Sequence, residues 1–356
     1  MIWLRGTISP ALAGVVLTQS MQLTGILQYG IRQTAEVENL MTSVERIRGY
    51  AALESEEAEA SKRRQGRPAE PPPPGWPSKG EVRFADVKLR YRKGLPLAAN
   101  GVSLQLEGGT RVGIIGRTGA VSPATVCPSH NHKSSDATNV AGQGKSTLLT
   151  AMFRLVDPES GLITIDGVDI RSVPVAAVRE AIAIIPQEPL LFSGTLRSNL
   201  DPLGARSDDE LLQILGSCSM RDVVTSSAAG LETEVGEGGS NYSVGERQLL
   251  CLARAMLRRA KLLCMDEATA AVDVDTDARI QVAVRDNSDK HGTTLLTIAH
   301  RLQTIIDYDS IVEMDAGKVA GMGSARALLA NPASLLSQLV ADTDEEMQRA
   351  LRAAAA

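Results

Sequence analysis

A phosphate-binding loop needs a strand, a glycine-rich turn and a helix in immediate succession, in the pattern G-x-x-x-x-G-K-[ST]. This chain holds that pattern in two pieces. The run RVGIIG at residues 111–116 reads as the strand, and Arg117, Thr118, Gly119 and Ala120 follow it. The remainder, Gly144, Lys145, Ser146 and Thr147, comes only after residues 121–143. Without that insert the text is GIIGRTGAGKSTLL, an unbroken pattern opening at Gly116. Its glycines turn backbone N–H groups toward phosphate oxygens, Lys145 neutralises them, and the Ser146 hydroxyl is a Mg²⁺ ligand.

The insert admits two origins. Val121 has codons beginning GT and Gln143 has a codon ending AG, the bounds of a retained intron; the alternative is a genuine loop. If the insert is present, a second register exists in AGQGKST. There Gly142 and Gly144 flank Gln143, and Asn139, which tolerates left-handed backbone, replaces the first glycine. Closing a loop of that size costs roughly 3 kcal/mol plus a constant. Cys127, His130 and His132 within it lack a fourth ligand and make no metal site.

Composition removes whole classes of function. With 43% hydrophobic and 22% charged residues the chain is globular, and its net charge of −5 and 3% aromatic content argue against nucleic acid as a partner. Cys127, Cys218, Cys251 and Cys264 form no CxxC pair and read as reduced thiols.

The N-terminal region, residues 1–53, differs from the rest. No charge lies between Arg5 and Arg32, a stretch longer than the roughly 20 residues that cross a bilayer, although Gln19, Gln22 and Gln28 interrupt it. We read it as a membrane helix; a signal-peptide core and a buried core helix are the alternatives. Val37, Leu40, Met41, Val44, Ile47 and Tyr50 then recur at helical spacing, so the same helix continues into water. Residues 54–80, with a charge run and Pro71 to Pro74, form a linker that is expected to be extended or disordered.

From Glu81 the chain alternates strands and helices. EVRFADVKLRY has the alternation of an edge strand, and GVSLQL and TRVGIIG are further strands. AIAIIP, LLQILGSC, QLLCLARAML, KLLCMDE, TTLLTIAH and DSIVEM continue the alternation, which makes an α/β domain over 81–330 with a mostly parallel sheet flanked by helices. Residues 331–356 close the chain as a helical tail.

Three further pieces carry chemistry. Ser243 and Gly245, in NYSVGERQ before LLCLARAML, open a helix and form an anion site from a hydroxyl and free amides, or an ordinary N-cap. Asp266 and Glu267 end the apolar strand KLLCMDE; one carboxylate suits Mg²⁺ and the other suits activation of water. Gln187 and His300 each follow an apolar strand, where either alone is a structural residue.

In this order and spacing the set closely resembles the nucleotide-binding domain of ABC transporters. Within that family, RTGA…GKSTL, FSGTLRSNLDP, SVGERQLLCLARA and MDEATAAVD are similar to the second nucleotide-binding domain of the C subfamily, the multidrug-resistance-associated exporters. The likeness spans about residues 76–330, and VERIRGY with the N-terminal helix looks like the end of the second transmembrane domain. The resemblance implies an ABC-type P-loop ATPase with an antiparallel β subdomain and a helical subdomain, using ATP and Mg²⁺. It implies that Tyr91 stacks on adenine, Lys145 grips the β- and γ-phosphates, and Ser146 and Asp266 bind Mg²⁺. Gln187 senses metal and water, Glu267 acts as general base, and His300 reaches the γ-phosphate. Ser243, Val244 and Gly245 face a nucleotide on the partner domain, which Asp273 contacts.

The implied partners are the first nucleotide-binding domain and the transmembrane domains of the same transporter. The implied place is a membrane with this domain cytosolic, and the implied cargo is organic anions or conjugates. The chain reads as a C-terminal fragment. SVGE stands where SGGQ is commoner, so Glu246 brings a carboxylate close to the expected phosphates. The interrupted loop leaves open a second reading, a nucleotide-responsive domain that does not hydrolyse. A soluble ATPase of the DNA-repair or translation type is disfavoured by the uncharged N-terminal stretch.

Overall fold

The computed structural model describes residues 9–64, 68–92, 94–116, 144–225, 227–267, 272–299 and 301–355. The chain separates into two compact units, residues 1–59 and 60–356.

The first unit is dominated by α1, Pro10–Ala51, a 42-residue helix about 60 Å long. It starts where Ser9 accepts the Leu12 N–H and Pro10 takes the first turn. Thr18, Thr24, Thr34 and Thr42 return their hydroxyls to carbonyls four residues back, which satisfies them along the helix. Its apolar residues, among them Leu23, Ile26, Leu27 and Ile47, are exposed. The membrane-helix expectation needs correcting here: no helix among the described residues is long and apolar enough to cross a membrane. The uncharged stretch fails on hydropathy because Gln19, Gln22, Gln28 and its threonines and glycines dilute it.

The linker is more ordered than its composition suggests. α2, Glu56–Arg63, begins with Glu56, Glu57 and Glu59 and ends with Lys62 and Arg63, matching the helix dipole at both ends. Beyond it, the Glu70 N–H donates to the Ser172 carbonyl at 2.9 Å and the Trp76 indole donates to the Ile165 carbonyl at 2.8 Å. Four consecutive amides, Ser78 to Glu81, converge on the Asp166 carboxylate.

The strands are β1 (Val82–Leu89), β2 (Ala99–Leu106) and β3 (Arg111–Gly116), and α3 is Gly144–Met152. Then come β4 (Ser160–Ile165), β5 (Val168–Asp169), α4 (Val175–Ala181), β6 (Ile182–Ile185) and β7 (Gly194–Thr195). A helical segment follows, with α5 (Leu196–Leu200), α6 (Asp208–Ser217), α7 (Arg221–Thr225), β8 (Glu234–Val235) and α8 (Val244–Leu257). The chain closes with β9 (Leu262–Asp266), α9 (Val274–His291), β10 (Thr294–Ile298), β11 (Ser310–Asp315), β12 (Lys318–Gly323), α10 (Ala325–Leu329), α11 (Leu335–Ala341) and α12 (Glu345–Ala354).

The main sheet runs β12-β11-β3-β10-β9-β6, all parallel except β12. A second, antiparallel sheet runs β2-β1-β4-β5. β1 lies inside it between β2 and β4 and is not an edge strand; alternation reports a half-covered face and is silent about lateral neighbours.

Alternation along the parallel strands divides the core. Ile114, Cys264, Leu296 and Val312 face a cluster with Phe84, Ile163, Leu148 and Met152 from the antiparallel sheet and α3. Ile115, Met265, Leu295 and Ile311 face the other side, against Leu249 and Leu252 of α8, Ile280 of α9 and Leu336 of α11. Both faces of the central parallel strands β3, β9, β10 and β11 are thus buried, as parallel strands covered on both sides require. Each such Leu or Ile contributes about 1.5–3 kcal/mol. Cys218, Cys251 and Cys264 are buried free thiols.

Candidate nucleotide site

Parallel strands end at one edge of their sheet, and doubly wound sheets bind ligands outside that edge. β3 ends there at Gly116, β9 at Asp266, β6 at Ile185 and β10 at Ile298. The residues that matter follow directly: α3 after β3, Glu267 after β9, and Gln187 after β6.

α3 opens on Gly144, Lys145, Ser146 and Thr147. Lys145 is nearly buried and donates from Nζ to the Gly116 carbonyl at 3.3 Å. Burial lowers its pKa, while Glu267 and Asp266 pull the other way. Gly116 must be glycine: a Cβ there would sit 2.9 Å from the Met314 carbonyl and 3.2 Å from the Lys145 stem.

Ser146 Oγ lies 3.5 Å from Asp266 Oδ1, so a hydroxyl and a carboxylate from two elements meet. Hard oxygen donors of this kind fit Mg²⁺, which takes one or two protein ligands and fills its shell with water and phosphate. Glu267 departs from the strand at φ +48°, a left-handed backbone that is uncommon outside glycine, and its N–H donates to the Ile298 carbonyl at 3.1 Å. Tyr91, just past β1, places its hydroxyl 3.1 Å from Thr147 Oγ1. On another side it borders a cavity of about 820 Å³ walled by Arg64, Arg92 and Arg171.

The second cluster is set apart, at the start of α8. Ser243 caps the helix, accepting the Glu246 N–H at 3.2 Å, and the Glu246 carboxylate accepts the Ser243 N–H at 2.8 Å. This capping box holds the Glu246 carboxylate on the helix N-terminus. Gly245 packs so closely on α9 that a Cβ would meet Thr276 Cγ2 at 3.1 Å. Asp273 caps α9 by accepting the Thr276 N–H at 2.9 Å. That bond, with the Thr276 hydroxyl, lowers its carboxyl below the usual range.

The structure thus brings together Gly116, Lys145, Ser146, Asp266 and Glu267, with Tyr91 and Thr147 adjoining; Ser243, Gly245 and Asp273 form a separate surface. Gln187 is exposed just past Pro186. Gly119, Gly142, His300 and all of 121–143, with Asn139 and Cys127, lie outside the described residues. Sequence reading missed Gln248 and Arg254, polar side chains of α8 whose bonds hold the Gln187 segment. Their signal was present as polar residues in step with the apolar stripe of α8.

Comparison with known proteins agrees. The family described as ABC transporter matches residues 140–270. ABC transporter C family member 3 of Dictyostelium discoideum is 41% identical over 98% of this chain and 22% of its own length. Human ATP-binding cassette sub-family C member 2 is 40% identical over 93% of this chain and 19% of its own. A bacterial Atm1-family ABC exporter solved with ATP bound superposes with a TM-score of 0.65 at 29% identity, over 81% of this chain and 47% of that one.

Fold and site together define the ATPase domain of an ABC transporter. Within that class the chain belongs to the C family. It spans about a fifth of the length of the curated relatives it matches. Nothing in these matches favours the non-hydrolysing reading.

Proposed function

We propose that this chain supplies ATP hydrolysis to a C-family exporter, working against a second nucleotide-binding domain and through transmembrane domains that together place it at a membrane. The observation that carries this is the meeting of Lys145, Ser146, Asp266 and Glu267 at one strand edge.

Hydrolysis of a phosphoanhydride is mostly positioning and charge stabilisation. Tyr91 offers a half-exposed ring on which adenine stacks. Lys145, buried beside two carboxylates, holds the β- and γ-phosphates. Ser146 and Asp266 would hold Mg²⁺, which would supply charge neutralisation when bound. Glu267 accepts the proton of the attacking water, with Gln187 and His300 orienting that water and the γ-phosphate. Ser243 and Gly245 meet the nucleotide held by the partner domain, and Asp273 touches that domain. The cargo implied by the family likeness, organic anions or conjugates, is chosen by membrane helices.

Glu267→Gln is the direct test. The variant should bind MgATP within about threefold of the wild type and lose turnover by 100-fold or more, the scale of a lost general base. Unchanged turnover sinks the assignment.

A further inference from the structure

One stripe of α8 carries Gln248, Cys251 and Arg254, three residues apart. All three side chains end on main-chain carbonyls of the segment that leaves β6. Gln248 Nε2 donates to Pro186 O at 3.1 Å. Cys251 Sγ lies 3.9 Å from Leu190 O. Arg254 Nη1 donates to the same Leu190 oxygen at 2.6 Å, and its Nε donates to Asn199 O at 2.5 Å. A further guanidinium bond reaches Asn199 Oδ1.

Asn199 closes the segment from inside. It accepts the Phe192 N–H at 2.8 Å and donates to Phe192 O and Thr195 O at 2.7 and 3.0 Å. The Arg254 guanidinium also lies 5.8 Å from the Phe192 ring centroid, within range of a cation–π contact. Gln187 is therefore bracketed: the carbonyl before it and the carbonyl three residues after it both belong to α8. Gln248 is only 1% exposed, so water cannot take over its bond. Leaving the part-buried Pro186 carbonyl without its partner is costly, so this end of the segment is held to the helix.

We infer that Gln248 and Arg254 are positioning residues for Gln187. They tie its backbone to α8, the helix that Ser243 opens, and so set where Gln187 sits at the sheet edge. This rests on the role given to Gln187 under the proposed function. Lysine cannot replace Arg254, because a single ammonium does not span two carbonyls as a planar fork does.

The test uses the full chain with Arg254→Lys and Gln248→Met, each alone and combined with Gln187→Ala. Each single variant should lose kcat at least tenfold with KM for MgATP within twofold. Adding it to Gln187→Ala should lower kcat no further, since both changes remove the same group from place. Amide exchange at residues 187–192 should quicken at least tenfold in both single variants, while β9 and α3 keep their protection. The exchange measurement needs no turnover, so a chain that fails to hydrolyse ATP defeats the proposed function and leaves this tie readable. Multiplicative losses in the double variants, or unaltered exchange at 187–192, overturn the inference.

Discussion

Lys145 Nζ donates to the Gly116 carbonyl at 3.3 Å across 29 positions of sequence. The end of β3 and the first turn of α3 are thus within contact of each other, as they are in a loop of ordinary length, whatever residues 121–143 do between them.

Deleting residues 121–143, so that Ala120 joins Gly144, should therefore keep the fold. Shortening the loop recovers about 1–2 kcal/mol of closure entropy, seen as a melting temperature higher by a few degrees. ATP affinity should be equal or tighter, by up to about tenfold if all of that energy reaches the bound state. Calorimetry and an ATP titration of the two chains decide it. Loss of ATP binding on deletion would show that the Asn139 register, not the joined loop, is the working one.

Glu246 separates two effects that its position confounds. Its carboxylate serves the capping box with Ser243 and also sets a negative charge where phosphate is expected. Glu246→Gln keeps the reach and the hydrogen bond, so stability should hold within about 0.5 kcal/mol. Removing the charge should tighten ATP-driven association with the partner domain. Glu246→Ala should cost about 1 kcal/mol of stability. Equal association of the Gln variant and wild type would mean the charge points away from the phosphates.

Much of this was legible in the residues, and the exceptions have physical causes. The parallel strands could be read because both faces are buried: Ile114 and Ile115 fall into opposite clusters, so the run is apolar throughout. β1 was misplaced to an edge because its pattern records which face is covered and is blind to its lateral neighbours. The linker looked unstructured because its order comes from outside it, through Asp166 and Ile165 on another element. Lys145, Ser146, Asp266 and Glu267 were readable because their chemistry is local to strand and helix ends. Gln248 and Arg254 stand out only as polar residues in step with the apolar stripe of α8; what they hold was not readable, because their partners are main-chain carbonyls 62 and 64 positions away, and a carbonyl has no residue letter.

Gly116→Ala tests the crowding under the phosphate lysine. The new methyl would lie 2.9 Å from the Met314 carbonyl of the adjacent strand, which cannot retreat without breaking the sheet, and 3.2 Å from Lys145 Cδ. The cost should be about 1–3 kcal/mol, and ATP affinity should fall at least tenfold, since the lysine stem is what yields. Gly49→Ala, on α1 with nothing within 4 Å of its Cβ, is the control and should be neutral or slightly stabilising. A Gly116 variant with wild-type stability and affinity would disprove the close packing.

Asp166 gives a pH signature for the docking of the linker. Its Oδ2 accepts from the Ser78, Lys79 and Gly80 amides at 2.6, 2.9 and 3.3 Å, and its Oδ1 from Glu81 at 2.8 Å. Desolvation pushes its pKa up, but the four amides outweigh it and the net shift is downward from 3.8. A carboxyl with a lowered folded pKa contributes stability that is present above the unfolded value, near pH 4, and is lost as pH falls through the folded one. The group is only partly buried, so the contribution is about 1 kcal/mol at most. Asp166→Asn should melt a few degrees lower at pH 7, and amides 78–81 should exchange faster. The gap between the two chains should narrow steadily below about pH 4, as the wild-type carboxylate is protonated. A gap that stays constant down to pH 2 would mean the charge contributes nothing and only the shape of the turn holds the linker.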